Sequence, residues 1–421
     1  MSDRVQEKDA ESVADASALI APVPRITMHA FCATGATEAA IEVASKDRRL
    51  LKAQVTTSSG GLGTALNVLC DQPSPNVIIL ESTDDRDALL AGLDQLAEHC
   101  EAGTKVLVIG HVNDVLLYRE LTRRGVSEYL IAPVKPLDII QSVSELYHAP
   151  GTDPIGRTIA VIGAKGGVGS STVAHNLAWA IARQLATSTV IVDLDIAFGT
   201  AGLDFNQDPS QGVADAVFAP ERLDGNLVDR LLAKCGDNLS LLAGAAMLDR
   251  TIDLTENALD QLLDLLRVST PSIVLDMPHT WTSWARRTLI GADEIVIVAA
   301  PELASLRNTK NILDVLKTAR PNDGKPKVVL NLTGMPKRPE IAPAEFAKAL
   351  EVELAAVVPF DAQLFGTAAN NGQMVAEVQP GSKVNTLFVE LAASVTGRTE
   401  PKRKSGLLAP IIAKFTRRKA S

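Results

Sequence analysis

The sequence predicts two α/β domains in tandem, each a parallel β-sheet covered by helices on both faces. Three observations carry this. Short apolar runs alternate with amphipathic segments over residues 25–148 and again over 158–396. Between them, residues 148–156 read "HAPGTDPIG", with the two prolines and two glycines of a linker. The second pattern opens on "TIAVI", the glycine-rich "GAKGGVGSST" at 163–172 and the helical pattern "VAHNLAWAIA", the strand, turn and helix order of a phosphate-binding loop.

Taken in order, residues 1–24 are polar and acidic, unlike a secretion signal with its basic end and apolar core, and are expected to form a disordered tail. In the first domain, residues 25–148, "RITMHAF", "NVIIL", "KVLVIG" and "SEYLIA" read as strands, and "EAAIEVASKD", "DALLAGLDQLAEHC", "DVLLYRELTRRG" and "PLDIIQSVSELY" as helices. Residues 149–157 are the linker. The second domain, residues 158–396, offers the strands "TIAVIG", "TVIVDLD", "SLLAG", "PSIVLDM", "EIVIVAA" and "KVVLNLT", separated by helical stretches. Residues 397–421 form a basic tail.

Composition agrees with two domains. A chain of 421 residues is longer than one hydrophobic core usually grows, and 46% hydrophobic with 22% charged residues is ordinary for a globular protein. No apolar stretch is long enough for a membrane span. Cys32, Cys70, Cys100 and Cys235 are far apart and form no CxxC, so neither a disulfide framework nor a zinc site is expected. The net charge of −9 opposes nucleic-acid binding by the chain as a whole, yet residues 397–421 hold eight Lys and Arg against one Glu.

The glycine-rich turn points backbone N–H groups and the positive end of a helix dipole at one spot, which attracts phosphate. Gly166, Gly167 and Gly169, around Val168, allow the backbone to wrap an anion, and Ser171 or Thr172 offers a hydroxyl to Mg²⁺. "VIVDLD" ends in Asp193 and Asp195 and "SIVLDMP" carries Asp276, carboxylates that a parallel sheet projects into the crevice at its carboxyl edge. Asp276 is placed to hold a metal-bound water, with Asp193 or Asp195 positioning the attacking water.

These stretches, "KGGVGSST", "IVDLDIAFGTAGLDF", "SIVLDMP" and "VVPFDAQLFGTAANNGQMV", in this order, resemble the ParA/MinD superfamily of deviant Walker-A ATPases over about residues 158–393. The resemblance implies ATP and Mg²⁺ as cofactors and an ATP-sandwiched homodimer in which Lys165 reaches the partner's phosphates. It also implies a water-activating Asp195, Mg²⁺ near Ser171, Asp193 and Asp276, and adenine contacts at Asn331 and at Pro359 and Asp361 of "VVPFD". One position departs from the family pattern. Ser170 stands where the second loop lysine, the one that binds phosphates within its own subunit, is usual, so hydrolysis is expected to be slow.

The first domain resembles a response-regulator receiver, a five-stranded doubly wound fold of the flavodoxin-like kind. Glu81 stands in place of the phosphoacceptor Asp, "FCATGATEAA" lacks the acidic pair, and Ala132-Pro133 replaces the lysine, so phosphotransfer is not expected. A degenerate receiver ahead of a "KGGVGSST" domain resembles the TadZ/CpaE family of Flp (Tad) type IV pilus assembly. That resemblance implies a cytoplasmic protein that localises the pilus machinery, often at a cell pole, and meets its secretion ATPase and other assembly proteins. Two alternatives stand beside it: a pseudo-ATPase scaffold that no longer hydrolyses, and another MinD-like positioning ATPase for septum or flagellar number. A specific nucleic-acid partner is not expected.

The tail "SGLLAPIIAKFTRRK" sets Leu407, Leu408, Ile411, Ile412 and Phe415 at helical spacing beside Lys414, Arg417, Arg418 and Lys419. It suits peripheral contact with an anionic inner-membrane surface, although Pro410 interrupts a helix, and a solvated disordered tail is the equal alternative. Trp281 and Trp284 read as a partner surface or a buried helix face. His279 reads as a capping or solvated group.

Overall fold

The computed structural model describes residues 20–101, 103–147, 155–244 and 254–397. The expected acidic tail up to residue 19, linker residues 148–154 and the basic tail beyond Gly397 lie outside them. The chain divides into two compact units, Met1–Ile155 with Leu313–Lys325, and Gly156–Ile312 with Pro326–Ser421.

The first unit runs β1 Ile26–Cys32, α1 Gly35–Ser45, β2 Ala53–Ser59, α2 Gly61–Asp71, β3 Val77–Ser82, α3 Arg86–Ala97, β4 Lys105–Gly110, α4 Val115–Arg123, β5 Glu128–Ile131 and α5 Pro136–Tyr147. Its five parallel strands lie in the order β2-β1-β3-β4-β5, the flavodoxin-like winding. The central β3 is buried along its whole length, and alternation sends its side chains both ways. Val77 and Ile79 pack with Ala40, Ile41, Ile139 and Val143 of α1 and α5. Ile78 and Leu80 pack with Leu69, Leu93, Leu96 and Leu121 of α2, α3 and α4.

Sequence periodicity assigns Leu313–Lys325 to the second domain, but the segment belongs to the first unit through buried charges. Asp323 accepts from Arg48 Nε at 2.8 Å and Arg49 Nη2 at 2.7 Å, and Arg49 also holds Asp47 at 2.9 Å. Burial pushes the Asp323 pKa up, but Arg48, Arg320 and Arg49 outweigh it and hold this carboxyl below its ordinary range. Partners so distant in sequence leave no local signal.

The second unit begins with β6 Arg157–Gly163, α6 Ser170–Arg183, β7 Thr189–Asp193, α7 Ala201–Asp204, α8 Val213–Val217, α9 Gly225–Leu231, β8 Ala233–Gly236 and β9 Leu239–Leu242. It continues with α10 Glu256–Ser269, β10 Ser272–Met277, α11 Ser283–Gly291, β11 Glu294–Ala299, α12 Leu303–Ala319, whose residues from Leu313 onward belong to the first unit, and β12 Lys327–Thr333. The chain closes on α13 Pro343–Leu350, β13 Leu354–Pro359, α14 Ala362–Asn371, α15 Val375–Val378 and α16 Lys383–Thr396. The eight strands lie in the order β13-β12-β11-β6-β10-β7-β9-β8, parallel except for β8 against β9. Val173, Leu177 and Ile181 of α6 join Val384, Phe388, Leu391 and Val395 of α16 and Ile159 and Val161 of β6 in one core, which fixes the helix that follows the glycine-rich turn.

At the end of β3, Glu81 has turned inward. Its carboxylate accepts from the backbone N–H of Ala33 and Thr34, each at 2.8 Å, and from the hydroxyls of Thr34 and Thr37, each at 2.8 Å, with His111 Nε2 at 3.1 Å. Burial alone would raise its pKa, but the bonds from Thr34, Thr37 and His111 outweigh that and hold it below the ordinary glutamate range. The side chain is part of the fold, tying β3 to the start of α1. Because the folded pKa is depressed, its contribution is full above the unfolded pKa and is lost as pH falls through the folded value. Glu81→Gln is expected to destabilise the protein at neutral pH by about 1–3 kcal/mol, the cost of unpairing buried polar groups. Hydrogen exchange should speed at the Ala33 and Thr34 amides, and the difference from wild type should shrink in acid. Unchanged protection of those two amides would contradict this account.

Candidate functional site

The loop after β6 follows the middle of the second sheet, so it sits at the carboxyl edge between the ends of β11 and β10. Gly167 and Gly169 take positive φ, 78° and 81°, a turn that side chains with a Cβ adopt only with strain. A Cβ on Gly169 would also meet Asn331 Nδ2 at 2.5 Å. Gly169 is the N-cap of α6 and gives no side-chain cap, leaving the amides of the first helical turn without a side-chain acceptor. The loop's carbonyls are engaged instead. Asn308 Nδ2 donates to Ala164 O at 2.9 Å, Asn331 Nδ2 to Val168 O at 2.9 Å, and His279 Nδ1 lies 2.9 Å from Gly163 O. A loop whose carbonyls are engaged and whose helix start is uncapped by a side chain is suited to bind an anion.

Asp193 and Asp276 end neighbouring strands in direct register, both buried. The Asp193 carboxylate accepts the backbone N–H of Asp195 at 3.1 Å and of Ala201 at 3.2 Å, holding the turn between them. Burial, and then the charge of Asp276, push its pKa up to about 7. Asp276 Oδ1 is buried and has no hydrogen-bond partner. Its Oδ2 lies 3.3 Å from His175 Nε2, an ion-pair distance outside hydrogen-bond alignment. His175, on the second turn of α6, is 0% exposed, with Nδ1 at 2.7 Å from Asp204 Oδ2. Burial opposes its charge, but Asp204 and Asp276 together outweigh that and raise its pKa to about 10.

The remaining residues singled out by sequence are placed as follows. Lys165 is exposed and paired with Glu302 at 2.6 Å. Gly166 is exposed and Val168 is buried; Ser170, Ser171 and Thr172 are half-buried in the first turn of α6. Asp195 is half-buried and accepts the Phe198 N–H at 3.1 Å. Asn331 is buried and fastens the loop; its Nδ2 is spent on Val168. Pro359 and Asp361 are exposed, and Asp361 caps α14 by accepting from Leu364 N at 2.9 Å. The tryptophans divide: Trp284 is buried in α11 while Trp281 is 50% exposed.

Loop amides, hydroxyls at 171 and 172 and a buried, unpartnered carboxylate oxygen form an all-oxygen and N–H donor set that fits Mg²⁺ bound to phosphates. Among the described residues no group of three His, Cys, Asp or Glu is placed to hold a metal by itself.

Sequence reasoning passed over His175, Asp204, Asn308 and Glu302. The signal for His175 was present: a histidine on the apolar face of the loop's own helix must find buried partners.

Comparison with known proteins agrees with this architecture. The AAA domain family matches residues 156–328. A crystal structure of the pilus assembly protein CpaE from Caulobacter crescentus is 48% identical, covering 30% of this chain and 96% of that one, with a TM-score of 0.30. The identity over nearly that whole chain decides the matter. The chain belongs to the TadZ/CpaE family. Septum site-determining protein MinD of Escherichia coli K12 is 29% identical over 229 residues, 52% of this chain and 83% of that protein. MinD of Pyrococcus horikoshii, solved in complex with Mg-ADP, shares the fold at a TM-score of 0.51 and 24% identity, covering 57% of this chain and 96% of that one. This chain thus joins a doubly wound first unit to a ParA/MinD-like P-loop sheet. Among the described residues no helix is long and apolar enough to cross a membrane.

The bracing of the loop is testable. Asn331→Ala leaves the Val168 carbonyl unpaired and is expected to cost about 1–3 kcal/mol of stability, with faster hydrogen exchange at Val168 and Gly169 in the absence of nucleotide. Wild-type exchange there would show that Asn331 does not brace the loop.

Proposed function

We propose that this protein binds ATP with Mg²⁺ at the loop Gly163–Thr172 and uses it to control its own dimerisation, organising the assembly of an Flp/Tad type IV pilus. The observation that carries the reading is the braced loop, whose N-cap Gly169 offers no side-chain cap to α6, together with the unpartnered Asp276 oxygen on the strand next to β6. In this reading the amides from Gly166 to Ser171 hold phosphate, and Ser171, Asp193 and Asp276 face the Mg²⁺ side. Asn331, Pro359 and Asp361 border the base, and Asp195 aligns water.

Dimerisation is supported by what surrounds the loop. Phe198 and Leu203 are each 73% exposed, Leu303 74%, and Trp281 half exposed; all follow strand ends at the loop's edge of the sheet. Lys165 lies among them, paired with Glu302 and able to exchange that partner for a second subunit's phosphates. The family's pilus context supplies the remaining partners, a secretion ATPase and other assembly proteins. The cytoplasmic face of the inner membrane or a cell pole is the expected place of action. The basic tail would add contact with anionic lipid, which sedimentation of the full chain with anionic vesicles at low salt tests.

Ser170 favours a second reading, a constitutively assembled pseudo-ATPase scaffold whose site no longer hydrolyses nucleotide. A serine supplies no charge for the phosphates, so turnover is expected to be slow. Light scattering of the full chain without nucleotide, with Mg-ADP and with Mg-ATP separates the two. ATP alone should double the mass and Lys165→Ala should abolish the change. A mass that never responds, with ATP unbound, would leave only the scaffold. Ser170→Lys should raise ATP turnover by about 10- to 100-fold, by restoring one charge to the transition state. A variant that binds ATP without faster turnover would show that the missing lysine is not what limits hydrolysis.

A further inference from the structure

We propose that His175 is a positioning residue for Asp276, holding one oxygen of that carboxylate so that the other is presented to the Mg²⁺ of a bound nucleotide. The inference rests on the nucleotide-site reading above and deepens it.

The geometry is specific. A histidine buried only for packing is satisfied by one donor and one acceptor contact. Here both ring nitrogens face carboxylates, Nδ1 at 2.7 Å from Asp204 and Nε2 at 3.3 Å from Asp276, and Phe205 closes over the ring at 5.5 Å between centroids. Asp276 is buried, and its second oxygen has no partner in the fold. A buried unpaired carboxylate oxygen is costly, and a ligand arriving at the loop can supply what it lacks. The neighbour in register is Asp193, a like charge, so without the ring Asp276 would turn away. Asp204 ends α7, directly after the turn that carries Asp195 and the exposed Phe198. One ring on the loop's helix therefore links the carboxylate at the end of β10 to the segment after β7. Residues that orient a ligating group in this way typically control metal affinity rather than overall binding.

The test uses the full chain and a fluorescent non-hydrolysable ATP analogue. Its affinity is measured in EDTA, and the Mg²⁺ concentration at half-maximal enhancement is then measured for wild type, His175→Gln and Asp204→Asn, with thermal melts alongside. Expected are unchanged affinity in EDTA and a Mg²⁺ midpoint raised about 10- to 100-fold in His175→Gln, in the range for loss of an orienting group. A smaller rise is expected in Asp204→Asn, whose site is partly exposed and which carries the test alone should His175→Gln not fold. A wild-type midpoint in a folded variant, or affinities in EDTA and in Mg²⁺ falling together, overturns the proposal. Wild-type protein that binds the analogue under neither condition overturns the nucleotide reading itself, and this inference with it.

Discussion

Two carboxylates forced side by side govern the candidate site. Asp193 and Asp276 end adjacent parallel strands in register and are both buried, so each must find compensation that water would otherwise give. They find it differently. Asp193 takes two backbone N–H groups and leans toward the protonated form, with a pKa near 7. Asp276 takes the edge of an imidazole and keeps one oxygen bare. This asymmetry gives two like groups separate tasks, one shaping the turn that follows β7 and the other facing the loop. It also explains why a histidine is buried in the loop's helix, where an aliphatic residue would otherwise complete the apolar face.

Much of this was legible in the sequence because the decisive features are local. Glycines at 167 and 169 sit where positive φ is required, and strand-end carboxylates follow apolar runs. Helix α5 coincides with "PLDIIQSVSELY", whose apolar spacing is regular. The features that escaped are edges and long-range partners. Strand β2, "AQVTTSS", lies at the sheet edge with little burial and so lacks an apolar run, and the helix after it, α2, went unread with it. Strand β8 is short, half-exposed and antiparallel. The stretch "VVPFD" resembles a base-contacting segment, and most of it is the end of β13, an edge strand whose place in the sheet the sequence does not give. Resemblance assigns Asn331 to the adenine, but its bond to Val168 needs the coordinates of both. The same holds for His175, whose partners Asp204 and Asp276 stand on separate elements.

The two units treat a carboxylate at a strand end in opposite ways. In the second, Asp276 retains an oxygen without a protein partner, which leaves it available for chemistry. In the first, Glu81 gives both oxygens to the loop after β1 and to Thr37, with His111 alongside. Both sit at the carboxyl edge of a parallel sheet, and what separates them is only whether the surrounding donors are complete.

That completeness bears on which substitutions the first unit could accept. The extra methylene of Glu81 carries its carboxylate into the space at the mouth of β1, and Thr34 and Thr37 supply hydroxyls there. Shortening Glu81 to aspartate would strand those hydroxyls and the amides of Ala33 and Thr34 before any acidic pair or lysine existed to use the new geometry. That single change would thus lose stability without creating a phosphoacceptor site. The carboxylate at this strand end is a strut whose length is fixed by four donors at once.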